Sequence, residues 1–148
     1  MDLYRLAYRS RPTFPIRTGW LVGKLRDIAM VGLTRNTEME LTGVLCIERN
    51  AFVQVLEGPS ERLRAVYDRI ILDKRHFAVE ELCFEKIAER SYDDWAVAFA
   101  MPVKLPQEQR SVTDVYDLDA ARLLERARLL RQTGVVAERS IGGQSIAS

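Results

Sequence analysis

One histidine and two cysteines in 148 residues leave little material for metal or redox chemistry. A two-histidine metal site cannot be assembled, and Cys46 and Cys83 lack the CxxC spacing of zinc and redox sites. Both lie in apolar, strand-like runs, which predicts small buried thiols in a reducing compartment and no disulfide. Neither Gly-x-Gly-x-x-Gly nor a P-loop is present, so the glycine-rich phosphate cradles are missing. The carboxylates fall mostly in runs such as Glu80-Glu81 and Asp93-Asp94, where solvated turns and strand ends account for them. A hydrolase has nothing to build on. No apolar run approaches the ~20 residues that span a bilayer, and the first fifteen residues carry three arginines but no apolar block of the signal-peptide kind. A net charge of +1 gives no reason to expect nucleic acid or a membrane surface as a partner. The expectation is a soluble, cytoplasmic chain of one domain with a continuous core.

What is present is organised around residues 36–58. The apolar runs Leu41 to Ile47 and Ala51 to Leu56 flank Glu48-Arg49-Asn50, the pattern of a hairpin. With a period of two, Phe52, Gln54 and Leu56 share one face of the second run, and Val53 and Val55 the other. Gln54 therefore sits among apolar neighbours whichever face packs inward. A buried amide left without partners costs ~1–3 kcal/mol, which makes Gln54 the first candidate functional residue.

The rest of the chain frames it. Asp2 to Arg9 reads as a strand buried on the side of Tyr4, Leu6 and Tyr8, and Ser10 to Thr18, with two prolines, as a loop. From Gly19 to Asn36, Leu21, Leu25, Ile28, Ala29 and Gly32 recur at helical spacing. Gly32 on that apolar stripe costs up to ~1 kcal/mol relative to alanine; a flat ligand against the backbone and a close helix-to-sheet contact both account for it. Gly58-Pro59-Ser60 starts a second helix with the stripe Leu63, Val66, Tyr67 and Ile70, ending near Asp73. Val79 to Ile87 reads as a strand, Arg90 to Asp94 as a turn, and Trp95 to Val103 as a final strand with Trp95, Val97 and Phe99 on one face.

The order β-α-β-β-α-β-β predicts a ferredoxin-like α+β sandwich with an added edge strand, both helices on one sheet face, and the first and third strands as central neighbours. The other face needs cover. Ser111 to Asp114 resembles a helix start, and Asp119 to Gln132 is strongly helical with the stripe Leu123, Leu124, Ala127 and Leu130, closed by Gly134. Expected boundaries are a domain over 1–103, a C-terminal helical extension over 104–136 and a disordered tail over 137–148.

Tyr8, Asn36 and Gln54 are polar groups on otherwise apolar inward faces, and the proposed fold lets them converge. A phenol and two amides suit a planar heterocycle with imide edges held between two apolar helices. The mundane readings stay open: a buried tyrosine bonding some carbonyl, and an asparagine closing a helix as its cap.

The segments LAYRS around Tyr8, N-x5-TG from Asn36 to Gly43, FVQVLEG around Gln54, DKRH from Asp73 to His76 and R-x4-W from Arg90 to Trp95 resemble the BLUF domain, a family of blue-light sensors that use a flavin. The resemblance runs over about residues 2 to 103, in order and at near-family spacing. It implies non-covalent FAD, with FMN or riboflavin able to substitute. Tyr8 matches the tyrosine that donates an electron to the excited flavin, Gln54 the glutamine between that tyrosine and the flavin N5/C4=O edge, and Asn36 the asparagine that bonds the imide. Ile28 and Gly32 match one side of the ring pocket, Ile70 another, and Arg75 and His76 polar contacts beyond the second helix. Trp95 and Val97 match the signal relay.

Two positions depart from the family. Val97 replaces the usual methionine and has no thioether; Arg35 stands where a second asparagine or a histidine is common, so an altered contact is expected. The resemblance implies a hydrogen-bond switch: light moves an electron and then a proton from Tyr8 by way of Gln54, whose amide re-forms its bonds rotated or tautomerised. No enzyme activity is expected. With only about 45 residues after the sensor region, output is expected through a separate partner protein acting in trans, or through self-association as a homo-oligomer. Two alternatives compete. One is a flavin-free interaction module on the same fold; the other is an acylphosphatase-like enzyme, whose phosphate loop SRPTFPIRT from Ser10 to Thr18 matches poorly.

Overall fold

The computed structural model describes residues 2–16, 23–101, 104–133 and 135–137. One mixed sheet has the strand order β4-β1-β3-β2-β5-β6. β1 (Leu3–Pro12) lies antiparallel between β3 (Phe52–Pro59) and β4 (His76–Ile87). β2 (Thr42–Ile47) pairs with β3 as the expected hairpin, and β5 (Trp95–Phe99) runs parallel to β2. α1 (Gly23–Glu38) connects β1 to β2, and α2 (Ser60–Leu72) connects β3 to β4. The architecture is the ferredoxin-like α+β sandwich, with β5 added beside the hairpin.

Alternation along the strands divides the core in two. Leu6, Tyr8, Leu45, Phe52, Leu56, Trp95 and Val97 face the helices and meet Leu25 and Ala29 of α1 and Leu63, Val66 and Ile70 of α2. Ala7, Val44, Cys46, Val53, Val55 and Ala98 face the other way. That second face is covered by the extension: a short α3 (Gln107–Arg110), a 3-10 turn (Val115–Asp117) and α4 (Ala120–Thr133). Leu123, Ala127 and Leu130 of α4 are buried there, and Leu124 is half-buried at the edge. Because β2 and β3 are covered on both faces, they read as continuous apolar runs. Among the described residues no helix is long and apolar enough to cross a membrane, and Cys46 and Cys83 are both free thiols.

Arginines pin the extension to the sheet. Arg126 is buried in the α4 stripe; its Nε and Nη2 donate to Glu48 at 2.7 and 3.0 Å, and its Nη1 donates to the Gln109 carbonyl at 2.8 Å. Arg9, the residue after Tyr8, donates to the carbonyls of Val115 and Leu118 at 2.9 and 2.7 Å and to Glu80 at 2.6 Å. Arg11 reaches Asp114 at 2.8 Å, and its guanidinium lies 4.1 Å from the Tyr116 ring centroid.

The structure corrects several boundaries. β1 runs on through Ser10, Arg11 and Pro12, because Ser10 still pairs with Phe52 and Arg11 and Pro12 pair with Phe77 and His76. Pro12 is tolerated as the last residue, where β3 has already ended and no ladder donor is needed on that side. α1 extends to Glu38, and its following left-handed residue is Glu40 (φ 57°), not Asn36. Pro59 ends β3 and caps α2 instead of entering its first turn. β4 begins at His76, three residues before the expected Val79, with Ala78 at φ 53° inside it. β5 ends at Phe99, not Val103, because its partner β2 ends at Ile47; Ala100 N makes the last rung to the Ile47 carbonyl at 3.0 Å. Asp114 caps the 3-10 turn by accepting from Tyr116 N and starts no α-helix. Val135–Ala137 forms β6 against β5, where only helix end and tail were expected. Leu21 and the start expected at Gly19, Pro102 and Val103, Gly134 and the tail beyond Ala137 lie outside the described residues.

Breaking the buried pair tests how the extension is held. Glu48→Ala leaves the Arg126 guanidinium buried without its carboxylate and should cost roughly 3–5 kcal/mol in urea unfolding. Replacing both, as Glu48→Leu with Arg126→Met, should cost much less.

Candidate functional site

Strand register places Tyr8 directly opposite Gln54, and Gln54 opposite Leu45. Gln54 Nε2 donates to the Tyr8 hydroxyl at 2.6 Å, while Gln54 Oε1 accepts from Trp95 Nε1 at 3.0 Å. All three side chains are buried. The amide orientation follows from its partners. An indole N–H only donates, so the amide oxygen must face Trp95 and the NH2 group is left to face the phenol. Burial pushes the Tyr8 hydroxyl well above the ordinary tyrosine range, against the pull of the Gln54 hydrogen bond and the Arg35 charge. Tyr8 is therefore protonated at neutral pH.

Around this triad lies a cleft between α1 and α2. Ile28, Gly32 and Arg35 line it from α1 and Ile70 from α2, with Arg75 and His76 from the segment beyond. Gly32 is where the Trp95 ring comes closest: a Cβ there would lie 2.7 Å from Trp95 Cη2. Of the two readings of this glycine, the structure shows close contact with an aromatic side chain. The cavity left among these groups is about 50 Å³, so a planar ligand of several fused rings enters only if the indole moves or the helices part. Gly43, at φ 148°, is required for another reason: a Cβ would run into the Val55 carbonyl where β2 crosses β3.

The polar rim is held by its own bonds. His76 Nε2 lies 2.6 Å from the Ile70 carbonyl, which only accepts, so in the neutral ring Nε2 carries the proton and Nδ1 accepts from Ser10 Oγ at 2.7 Å. Arg75 Nε and Nη2 grip Asp73 at 2.9 and 2.6 Å, holding that carboxyl below its usual range. Arg35 is half-buried, and its burial lowers its pKa, with the nearby Arg69 and Arg75 charges adding to the effect.

Asn36 is fully buried in the last turn of α1. It is not the cap, since that role falls to the residues through Glu40. Its Oδ1 accepts from Arg35 Nε at 3.4 Å, but its Nδ2 has no partner. A buried donor left unpaired is costly, so this amide awaits an acceptor. Of the residues expected at the site, the cleft brings together Tyr8, Ile28, Gly32, Gln54, Ile70, Arg75, His76 and Trp95. Asn36, bonded to Arg35, is not among the residues lining it, and Val97 is buried two residues further along β5, opposite Leu45. Val31, Leu45, Phe52 and Asp73 also line the cleft. Leu45 and Phe52 were readable from the hairpin alternation, whereas Val31 and Asp73 needed the helix orientation.

A second anchor stands on the opposite face of β3. Glu57 is fully buried and accepts from Arg5 Nη2 at 3.0 Å and from the backbone N–H groups of Ser91 and Tyr92 at 2.7 and 3.1 Å. It fixes the turn that delivers Trp95.

Residues 3–98 match the family model BLUF, described as sensors of blue light using FAD. The chain is 32% identical over 90 residues to the blue light- and temperature-regulated antirepressor BluF of Escherichia coli (strain K12), covering 61% of this chain and 21% of that protein. It is 32% identical over 99 residues to the photoactivated adenylate cyclase subunit beta of Euglena longa, covering 66% of this chain and 11% of that protein. The chain thus spans about a fifth and about a tenth of these relatives' lengths. The dark-state structure of BlrB, a BLUF protein, superposes with a TM-score of 0.65 at 23% identity, covering 88% of this chain and 97% of that one, a likeness of fold.

Gly32→Ala probes the packing at the triad. The added methyl should push the indole off α1 and weaken its bond to Gln54 Oε1, so the Trp95 indole N–H resonance should shift and broaden while the far-ultraviolet spectrum stays unchanged. An unmoved resonance would mean the contact is slack.

Proposed function

The chain belongs to the BLUF family of blue-light sensors, and from that premise we propose that it is a photoreceptor holding FAD non-covalently in the cleft between α1 and α2, with Tyr8 and Gln54 as its switching pair. The observation that carries this reading is the direct bond from Gln54 Nε2 to the Tyr8 hydroxyl, with the other end of the amide held by Trp95. The donor set suits a flavin. The unpartnered Nδ2 of Asn36 fits an imide carbonyl, and Ile28, Ile70, Leu45 and Phe52 offer apolar walls to a ring. When bound, the flavin supplies blue-light absorption and an excited state that takes up an electron. Arg75 and His76 are held in place for polar contacts by Asp73, Ser10 and Ile70.

The residues then act as follows. Tyr8 is the phenol at the amide, buried and protonated, and its hydroxyl proton becomes strongly acidic once an electron has left the ring. In the resting arrangement Gln54 presents Nε2 to that hydroxyl, so the proton has no acceptor on the amide. Half a turn of the amide presents Oε1 to Tyr8, where it can take up the phenol proton, and Nε2 to Trp95. The indole cannot accept, so the turned form forfeits the Trp95 bond. Return of the electron and proton restores Tyr8, with Gln54 left turned and Trp95 released. In a dry site one such bond is worth ~1–3 kcal/mol, enough to bias a two-state element.

Output runs from β5 to the extension over 104–136, which acts as the cover of the sensor domain over 1–103, and on to a separate protein or a second copy. The names of the relatives couple light to an antirepressor and to a cyclase. Free thiols at Cys46 and Cys83 suit a reducing cytoplasm.

Absorption before and after blue light tests this reading. The purified protein should be yellow, shift reversibly to the red without bleaching, and lose the shift in Gln54→Leu, which cannot remake the bond. A colourless protein would instead select the flavin-free interaction module, and a bleached or covalently modified flavin would exclude the switch. Asn36→Ala should weaken flavin binding by ~1–3 kcal/mol in an equilibrium titration while leaving the fold intact.

A further inference from the structure

A pocket of about 460 Å³ lies where the turn between β2 and β3 meets the extension. Among the described residues it shares no wall with the cleft between α1 and α2. It stands at the seam of the two cores. Ile47 and Phe99 come from the helix-facing core, and Val112 and Val115 pack with the core under the extension. Its size falls within the ~300–1,000 Å³ of small-molecule sites, and its walls have their usual make-up, apolar surface with a few polar groups.

Its charge is unbalanced. Arg49, Arg110 and Arg126 line it against one carboxylate, Glu48. Glu48 is already paired with Arg126, and both are buried. Arg126 Nη1 goes to the oxygens of Gln109, but Nη2, bonded once to Glu48, has a second N–H that no described residue accepts. A buried donor without a partner is costly and calls for an acceptor. The other two arginines are exposed. The Arg49 side chain makes no hydrogen bond or ion pair among the described residues, and Arg110 reaches only Gln107 within its own short helix. Thr113 adds an exposed hydroxyl. Guanidinium groups with spare N–H donors match an oxyanion, and the apolar walls beside them match what that oxyanion is attached to.

We propose that this pocket binds a small organic anion, an oxyanion head on a compact apolar body. Arg49, Arg110 and the spare N–H of Arg126 take the head, and Ile47, Phe99, Val112 and Val115 surround the body. Arg49 belongs to the hairpin, whereas Arg110 and Val112 belong to the extension. The bound anion therefore ties the extension to the sheet beside the Arg126–Glu48 pair. The site stands apart from the flavin reading and does not depend on it.

Titration of the whole chain in the dark, followed by amide resonances, tests the site with benzoate and phenyl phosphate as probes. Either anion should give saturating shifts at Asn50, Val112 and Thr113, and the tighter of the two tells a carboxylate from a phosphate ester. Benzamide has the shape of benzoate without its charge and should bind about tenfold more weakly, as expected for the loss of a charge-assisted contact. Acetate and inorganic phosphate, which lack the apolar body, should give no saturating shift. Arg49→Ser with Arg110→Ser should weaken the anions about tenfold while leaving the resonances of the sheet in place. Thr113→Glu sets a carboxylate on the rim and should weaken them similarly without removing an arginine. Saturating benzoate should also slow amide exchange over residues 107–117. Absence of saturation with both anions, benzamide binding as tightly as benzoate, or undiminished binding in these variants overturns the site. Binding with unchanged exchange overturns the tie to the extension.

Discussion

The structure turns on one amide. Gln54 is shared between a group that can only donate, the Trp95 indole, and a group that both donates and accepts, the Tyr8 hydroxyl. That asymmetry gives the side chain one satisfied orientation and makes the other cost a bond. Much of the fold serves to keep these three groups in reach. The antiparallel register of β1 and β3 sets Tyr8 opposite Gln54, and the parallel pairing of β5 with β2 brings Trp95 to the same face. A slip of one residue in either pairing would send the side chains to the opposite face. Glu57, three residues beyond Gln54 and on the other face, holds the backbone of Ser91 and Tyr92. β3 thus grips the Trp95 segment from both sides.

The same sheet holds the extension, with unequal strength along its length. Near the hairpin, Arg126 and Glu48 form a buried two-bond pair, reinforced by Gln109. At the other end of α4, Arg131 meets Asp94 at 3.3 Å with both side chains partly in solvent, an arrangement worth at most about 1 kcal/mol. Removing a partner from the buried pair strands a charge; removing one from the exposed pair hands it to water. The firmer of these two ion pairs is therefore the one to the hairpin from the middle of α4, and the weaker is the one beside the turn into Trp95.

Much of this was legible in the sequence because it rests on periodicity. The alternation around Gln54, the stripes of α1 and α2, and the one-sided stripe of Leu123, Ala127 and Leu130 all follow from which residues water rejects. What could not be read depends on partners far along the chain. Ser10 to Pro12 look like a loop because of the proline, yet β4 goes on pairing with Arg11 and Pro12 after the pairing with β3 has stopped. Asn36 looked like a cap because a helix was expected to stop there; the left-handed residue proved to be Glu40. The roles of Arg9 and Arg126 have no local sign, since nothing nearby in the sequence says that Val115, Leu118 and Glu48 will fold over them. The short β6 carries three residues and no distinctive pattern.

Two strands lead from the triad to the extension, and they are not equally free to move. β1 carries Tyr8 on one face and Arg9, bonded to the 3-10 turn, on the other, so the route is short. It is also the most constrained strand, paired along most of its length with β3 on one side and β4 on the other. Shifting it would break ladder bonds on both flanks. β5 is five residues long, paired fully with β2 but only over three residues with β6. The amide bond from Gln54 ends on β5, at Trp95, and the preceding residue, Asp94, accepts from Gly43 N through its carbonyl and from Arg131 through its carboxylate. Under the proposed switch, losing the Trp95 bond would loosen the strand with the weaker flank, beside the weaker Arg131–Asp94 pair. The side chain of Val97, small, stiff and opposite Leu45, can take no hydrogen bond, so under the proposed switch what would pass along β5 is displacement of backbone, set by the fit of the indole against Gly32.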